Sequence, residues 1–234
     1  MLKQRSLGCP IMRSLTRSSL AVLVVVSVTV LGACKSNTVI DEYREVPKTT
    51  VIGAEDTVVV LGRRHRSTQE TEVDFISCVG TSLTRGSDAI NVIPEADFVD
   101  SLYPHFETST MPMNVKNLGR MVRNPFIARK FAEFRIRYFV WVEGFTERTD
   151  SSGNMTCAIG PGGGGCFGYA TWDDEANYEA SIWDFKNLEL SGKISSETKG
   201  TSYMPAVVIP IPLLARVKAS ACKSMADQIK SFLQ

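Results

Sequence analysis

Residues Arg137 to Phe145 (RYFVWVEGF) constrain the fold of this chain more than any other stretch. Aromatic and β-branched side chains at most positions suit a pleated surface packed on both sides. A sheet is therefore the expected centre of the fold, with this strand inside it. Upstream, Thr57 to Leu61 (TVVVL), closed by Gly62, is a continuous apolar run of the kind a strand shows when both its faces are buried. Phe75, Ile76, Val79 and Leu83 then recur at helical spacing until Gly86 stops the run. Ala89 to Ile93 (AINVI) reads as the next strand, and Pro94 suits the first turn of a helix carrying Phe98 and Leu102. Strand, helix, strand, helix in that order implies a parallel pair with a right-handed helical crossover.

The remaining elements follow from the same periodicities. After a proline-bearing loop, Tyr103 to Met113, two short helices are expected, one with Leu118 and Val122 and one opening at Pro125 with Ile127 and Phe131. The strong strand leads into a glycine-rich loop flanked by cysteines. Beyond it, Phe167 to Trp172, Tyr178 to Phe185 and Leu188 to Lys199 read as an antiparallel meander, with turns at Asp173 to Asn177 and around Lys186 and Asn187. Pro205, Pro210 and Pro212 should break the chain before a last helix, Leu213 to Leu233. On it Leu214, Val217, Ala221, Met225, Ile229 and Phe232 form one apolar stripe. The expected class is α/β (α+β), a mixed sheet flanked by helices in one domain over residues 57–234.

The N-terminus has a different character. An uncharged run, Leu20 to Leu31, follows Lys3, Arg5, Arg13 and Arg17 with no acidic residue between them. This is the layout of an export signal, and the run falls short of the roughly 20 apolar residues that a membrane-spanning helix needs. Met12 would make a tidier start, with Arg13 and Arg17 as the charged region. Gly32 and Ala33 stand directly before Cys34, so the segment resembles the lipobox of bacterial lipoproteins, in which that cysteine is acylated and becomes the mature N-terminus. The resemblance implies a signal peptide over residues 1–33 and attachment to a membrane through acyl chains on Cys34. With Lys35 rather than an aspartate following, it implies the periplasmic side of the outer membrane of a Gram-negative bacterium. Residues 34–56 are polar, with Pro47, Thr49 and Thr50 and no apolar period, and read as a flexible tether.

Charge and cysteines narrow the chemistry. With 26 Lys and Arg against 25 Asp and Glu, interspersed rather than blocked, the chain offers no basic patch for nucleic acid. Cys9 would leave with the signal and Cys34 would carry lipid, so Cys78, Cys157, Cys166 and Cys222 remain in an oxidising compartment. Cys157 and Cys166 are expected to bond to each other. Five glycines lie between them, each costing roughly 0.5–1 kcal/mol more than alanine to order. Closing a ring of about ten residues offsets this by roughly 2.7 kcal/mol in the chain-entropy picture. Cys78 and Cys222 could form a second bridge only if their helices share one face of the sheet; two buried thiols are the alternative.

No cofactor or metal site stands out. Gly160, Gly162 and Gly165 match G-x-G-x-x-G, but the loop runs into a strand rather than the helix a pyrophosphate needs, and no Lys-Ser or Lys-Thr follows. A stapled surface loop is the better reading. His65 and His105 fall in loops and Asp173, Asp174 and Glu175 in a turn, short of three or four converging zinc ligands. No serine sits in G-x-S-x-G. Trp141, Trp172, Trp183, Tyr169, Tyr178 and Tyr203 cluster in the strand region. Most should pack on the sheet, leaving a minority as an exposed aromatic platform for a partner.

The order of lipobox, tether, β-α-β-α opening, strong strand, meander and closing helix resembles a known α/β domain. It is the one shared by the N-terminal part of the TolB translocation protein, the curli-secretion lipoprotein and the outer-membrane lipoproteins that activate penicillin-binding proteins. The phrases RYFVWVEG, GPGGGGCFG and ASIWDF resemble those of uncharacterised proteobacterial lipoproteins. The resemblance implies a TolB-N-like single domain and transfers no catalytic residue. Two functions fit: a non-catalytic periplasmic adaptor or binding module with a protein partner in an envelope or cell-wall machine, or a periplasmic cell-wall hydrolase using carboxylates. An exposed apolar patch would favour the first. A deep cleft with two carboxylates about 5–9.5 Å apart would favour the second.

Overall fold

The strand that contains RYFVWVEGF lies inside a six-stranded mixed sheet, as its composition requires. A computed structural model describes residues 36–45, 51–63, 71–106, 112 and 114–234, and the compact unit runs from Ser36 to Gln234. The strands are β1 (Ser36–Arg44), β2 (Thr57–Gly62), β3 (Asn91–Ile93), β4 (Ile136–Gly160), β5 (Gly163–Asp184) and β6 (Glu189–Pro210). The helices are α1 (Val73–Leu83), α2 (Glu95–Leu102), α3 (Val115–Met121), α4 (Pro125–Glu133) and α5 (Val217–Leu233). Across the sheet the order is β1-β6-β5-β4-β2-β3. Strand β2 runs parallel to both β3 and β4, while β4, β5, β6 and β1 are antiparallel neighbours.

Helices cover both faces, which explains the unbroken apolar run in β2. Val58 and Val60 pack into one core with α1 and α5, while Val59 and Leu61 point into a second core built by α2, α3 and α4. Strand β4 divides the same way, with Tyr138, Val140 and Val142 on the first side and Phe139 and Trp141 on the second. Alternate side chains of a strand point to opposite faces, so a sheet between two helical layers needs apolar residues at every position. Two helices are capped from the sequence: the Asn114 side chain accepts from the Asn117 N–H and that of Asn124 from the Phe126 N–H, with Pro125 in the first turn of α4. One ion pair is buried within the sheet, Arg137 donating to Asp184, whose carboxylate also accepts from the backbone and side chain of Asn187 at 3.0 Å each. Among the described residues no helix is long and apolar enough to cross a membrane.

Several boundaries differ from the sequence reading, each for a local reason. The stretch read as a tether over residues 34–56 contains β1, an edge strand held by a full ladder to β6 from Ser36↔Gly200 to Arg44↔Gly192. It shows little apolar period because only alternate residues are half-buried, and side-chain contacts complete the docking. Thr38 Oγ1 meets Thr198 Oγ1 at 2.9 Å, and the Arg44 guanidinium lies 4.0 Å from the centre of the Phe232 ring. The expected turn at Asp173 to Asn177 is absent, because β5 runs straight through it. Its acidic residues face cations on neighbouring strands, Arg148 to Asp174 at 3.3 Å and Lys199 to Glu175 at 3.4 Å. Pro205 lies within β6 rather than ending it, and Leu214 is exposed ahead of α5, so the buried stripe begins at Val217. The strand expected from Ala89 starts at Asn91.

Candidate functional site, an uncharged β-arm

The glycine-rich stretch is not a loop but the end of a long hairpin. Strand β4 continues to Gly160, turns through Pro161 and Gly162, and returns as β5 from Gly163. Strand β6 runs beside β5 as far as Cys166↔Val208. The segment after it folds back on β6, Tyr203 and Leu213 exchanging backbone hydrogen bonds at 2.9 and 2.8 Å. From Glu147 outward β4 is exposed except at half-buried Met155. These strands form an arm, and at about 3.3 Å per residue the ten residues from Ser151 to Gly160 extend it by roughly 33 Å.

The composition of the arm is unlike that of the body. No Asp, Glu, Lys, Arg or His occurs in residues 151–172 or 200–215. At the root stands a ring of charge, with Arg148, Asp173, Asp174, Glu175 and Lys199 joined across strands. Hydrogen bonding from the Asn177 amide and from Lys199 holds the Glu175 carboxyl below the usual carboxylate range. Beyond the ring the exposed large side chains are apolar: Ile159, 94% exposed near the tip, and Phe167, Tyr169, Tyr203, Val207, Val208, Ile209 and Ile211. Two glycines make the pairing possible. Gly153 and Gly168 have φ of 123° and 133°, and a Cβ on them would stand 2.3 Å from the Tyr169 carbonyl oxygen and 2.1 Å from that of Asn154.

The structure places Cys157 directly opposite Cys166 near the arm's end, with Cα atoms 4.0 Å apart and sulfurs bonded. Cys78 on α1 and Cys222 on α5 are likewise joined, Cα atoms 6.2 Å apart, the two helices lying on the same face of the sheet. Cys34 and His65 lie outside the described residues. His105 packs beside Phe126 after α2, ring centres 5.2 Å apart. Among the described residues no three of His, Cys, Asp and Glu gather as metal ligands would.

The aromatic residues divide between packing and exposure. Trp141 and Trp183 are buried together, ring centres 5.2 Å apart, and Trp172 is half-buried at the arm's root with Arg148 5.0 Å from its ring centre. Tyr169 and Tyr203 are exposed on the arm, 6.3 Å apart. Tyr178 stacks on Phe75 at 3.5 Å, donates to Glu72 and shares a 2.8 Å hydrogen bond with Thr146. Burial, and then the Glu72 carboxylate, push its phenol well above the ordinary 10.0. The unfolded chain therefore loses this proton first as pH rises, so the contribution to stability is whole below about pH 10 and is lost above it. Tyr178→Phe should flatten the alkaline fall in unfolding temperature, and an unchanged slope would show that this phenol does not set it.

Other acidic side chains and a cavity lie on the body rather than on the arm. Asp41, Glu143, Glu179 and Glu197 line a shallow hollow on the body, with Arg63 3.7 Å from Glu143, Lys193 2.6 Å from Glu179 and Lys199 2.8 Å from Glu197. A cavity of about 520 Å³ wraps the β3 edge between α1 and α2. Val60, Ile76, Val92 and Val99 line it with Glu95 and Asp100, and Glu95 accepts from the Gly62 N–H at 3.2 Å. The five glycines between Cys157 and Cys166 read as a loop and conceal the hairpin. The signal that could have found it is the absence of charge over residues 151–172 and again over 200–215.

No protein-family model matches the chain, and no curated protein matches it. Among solved structures it is similar to the PelC dodecamer from Paraburkholderia phytofirmans, a point variant in one crystal form and PelC in another. The TM-scores are 0.36 and 0.33, at 11% identity in both, covering 86% of this chain and 99% and 98% of the PelC chains. A likeness this loose carries no inference about function or assembly.

Proposed function

We propose that this chain is a non-catalytic, acyl-anchored module of the outer membrane that works by contact, serving a protein machine of the envelope or cell wall from the periplasmic side. The observation that supports this reading is the arm: an exposed, charge-free apolar surface projecting from a body that packs most of its large apolar residues in two cores and exposes the others among charged ones. Water disfavours such a surface, and patches of this kind on folded domains mark places where something else binds. Its pairing through Gly153 and Gly168 and the cross-link at Cys157 and Cys166 hold the surface in one shape, which lowers the entropy lost on contact. The anchor rests on the residues around Cys34.

Site-specific photo-crosslinking in living cells tests the reading. A benzophenone side chain at Ile159 should give a discrete protein adduct, while the same group at exposed Tyr43 on β1, away from the arm, should give none. Folded, exported protein that yields no adduct at Ile159 or at Ile211 would sink the proposal.

A further inference from the structure

The exposed aromatic residues of the arm share one face. Residues directly opposite in an antiparallel pair share a face, as do alternate residues along one strand. The register sets Val207 beside Phe167, Pro205 beside Tyr169 and Tyr203 beside Thr171, so one face presents Val207, Phe167, Tyr169 and Tyr203. On it Val207 is 78% and Phe167 61% exposed, whereas the opposite face carries the Cys157–Cys166 link, buries Ala206 and exposes Val208 and, near the tip, Ile159. Strand β1 begins at the arm's root, since Ser36 pairs with Gly200 and Gly200 with Asp174. Only Lys35 separates Cys34 from Ser36, so chain geometry alone keeps their Cα atoms within about 7.6 Å. Tyr203, on this face, stands just past the ring of charge, where aromatic residues favour a boundary between water and lipid.

We propose that this face of the arm lies in the interfacial layer of the bilayer to which Cys34 is attached, with Phe167 and Val207 set among the upper acyl chains. The inference rests on the acylation proposed above. An acylated Cys34 holds the root at the leaflet surface, and an arm roughly 33 Å long with no charge to solvate then has lipid within reach. The arm lies on the bilayer rather than crossing it, because β2 pairs with β4 only as far as Val142. Among the described residues no strand pairs with the outer edge of β4 from Ser151 to Gly160, whose backbone N–H and C=O groups hydrocarbon could not satisfy and headgroups and water can.

The test uses the acylated chain in vesicles of phosphatidylethanolamine and phosphatidylglycerol, part of it brominated in the acyl chains. Emission of a tryptophan added as Phe167→Trp, taken as the difference from the parent, should be quenched about threefold more than that of Tyr43→Trp. Adding Val207→Asp should remove that excess without moving the unfolding temperature, since Val207 is exposed. Equal quenching at the two positions in protein that floats with the vesicles would overturn the lipid contact and leave the anchor standing. Protein that does not float would overturn both. Shielding of Phe167→Trp from brominated lipid and from acrylamide alike would mean that protein, such as a second copy, covers the face, and would also overturn the proposal.

Discussion

Met225→Asp should leave this chain largely unfolded. Met225 is fully buried on α5, within the core that joins Val79 and Leu83 of α1, Val140 of β4 and Ile194 of β6. A carboxylate there must either stay charged without a partner or take up a proton, and each route costs several kcal/mol beyond the lost packing. Domains of this size hold about 5–15 kcal/mol in all, so one such change removes much of the margin. Met225→Leu, close in volume, should cost less than about 1.5 kcal/mol and separates shape from charge. Circular dichroism during heating reads both variants. A cooperative transition of Met225→Asp at the parent's temperature would show that α5 does not hold the body together.

Cys34→Ser should abolish stable membrane attachment. Acyl chains contribute about 0.8 kcal/mol per buried CH₂, so one chain of myristoyl length holds a protein only marginally and two or more hold it firmly. Serine has no thiol to receive them. The variant should leave the membrane fraction as soluble protein or accumulate as uncleaved precursor, two outcomes that electrophoretic mobility tells apart. Metabolic labelling with a clickable fatty acid is the direct measurement, and label still on the serine variant would place the lipid elsewhere. Because β1 starts at Ser36, the attached domain would sit against the leaflet instead of swinging on the long tether that residues 34–56 suggest. That closeness separates a protein that reaches across the periplasm from one that works at the membrane surface.

The elements legible in the sequence were those whose apolar pattern has one cause. Strand β2 and the inner part of β4 are buried on both faces, and α1, α2, α4 and α5 each bury one stripe, so burial alone wrote their periodicity into the chain. Their order was enough for a mixed sheet between helices. The glycines and cysteines of residues 157–166 announced a constrained segment for the same kind of local reason. Tertiary structure decided the rest, because the rest depends on partners distant in sequence. Strand β1 is a strand only because β6 offers an edge some 160 residues away, as Thr38 against Thr198 shows. Asp173 to Asn177 look like a turn until Arg148 and Lys199 stand across from Asp174 and Glu175 and make them ladder residues. Register, which no single segment contains, placed Val207 beside Phe167 and gathered Phe167, Tyr169 and Tyr203 on one face of the arm. Local pattern reports whether a side chain is hidden; which surface it joins is fixed by the pairing of strands far apart in the chain.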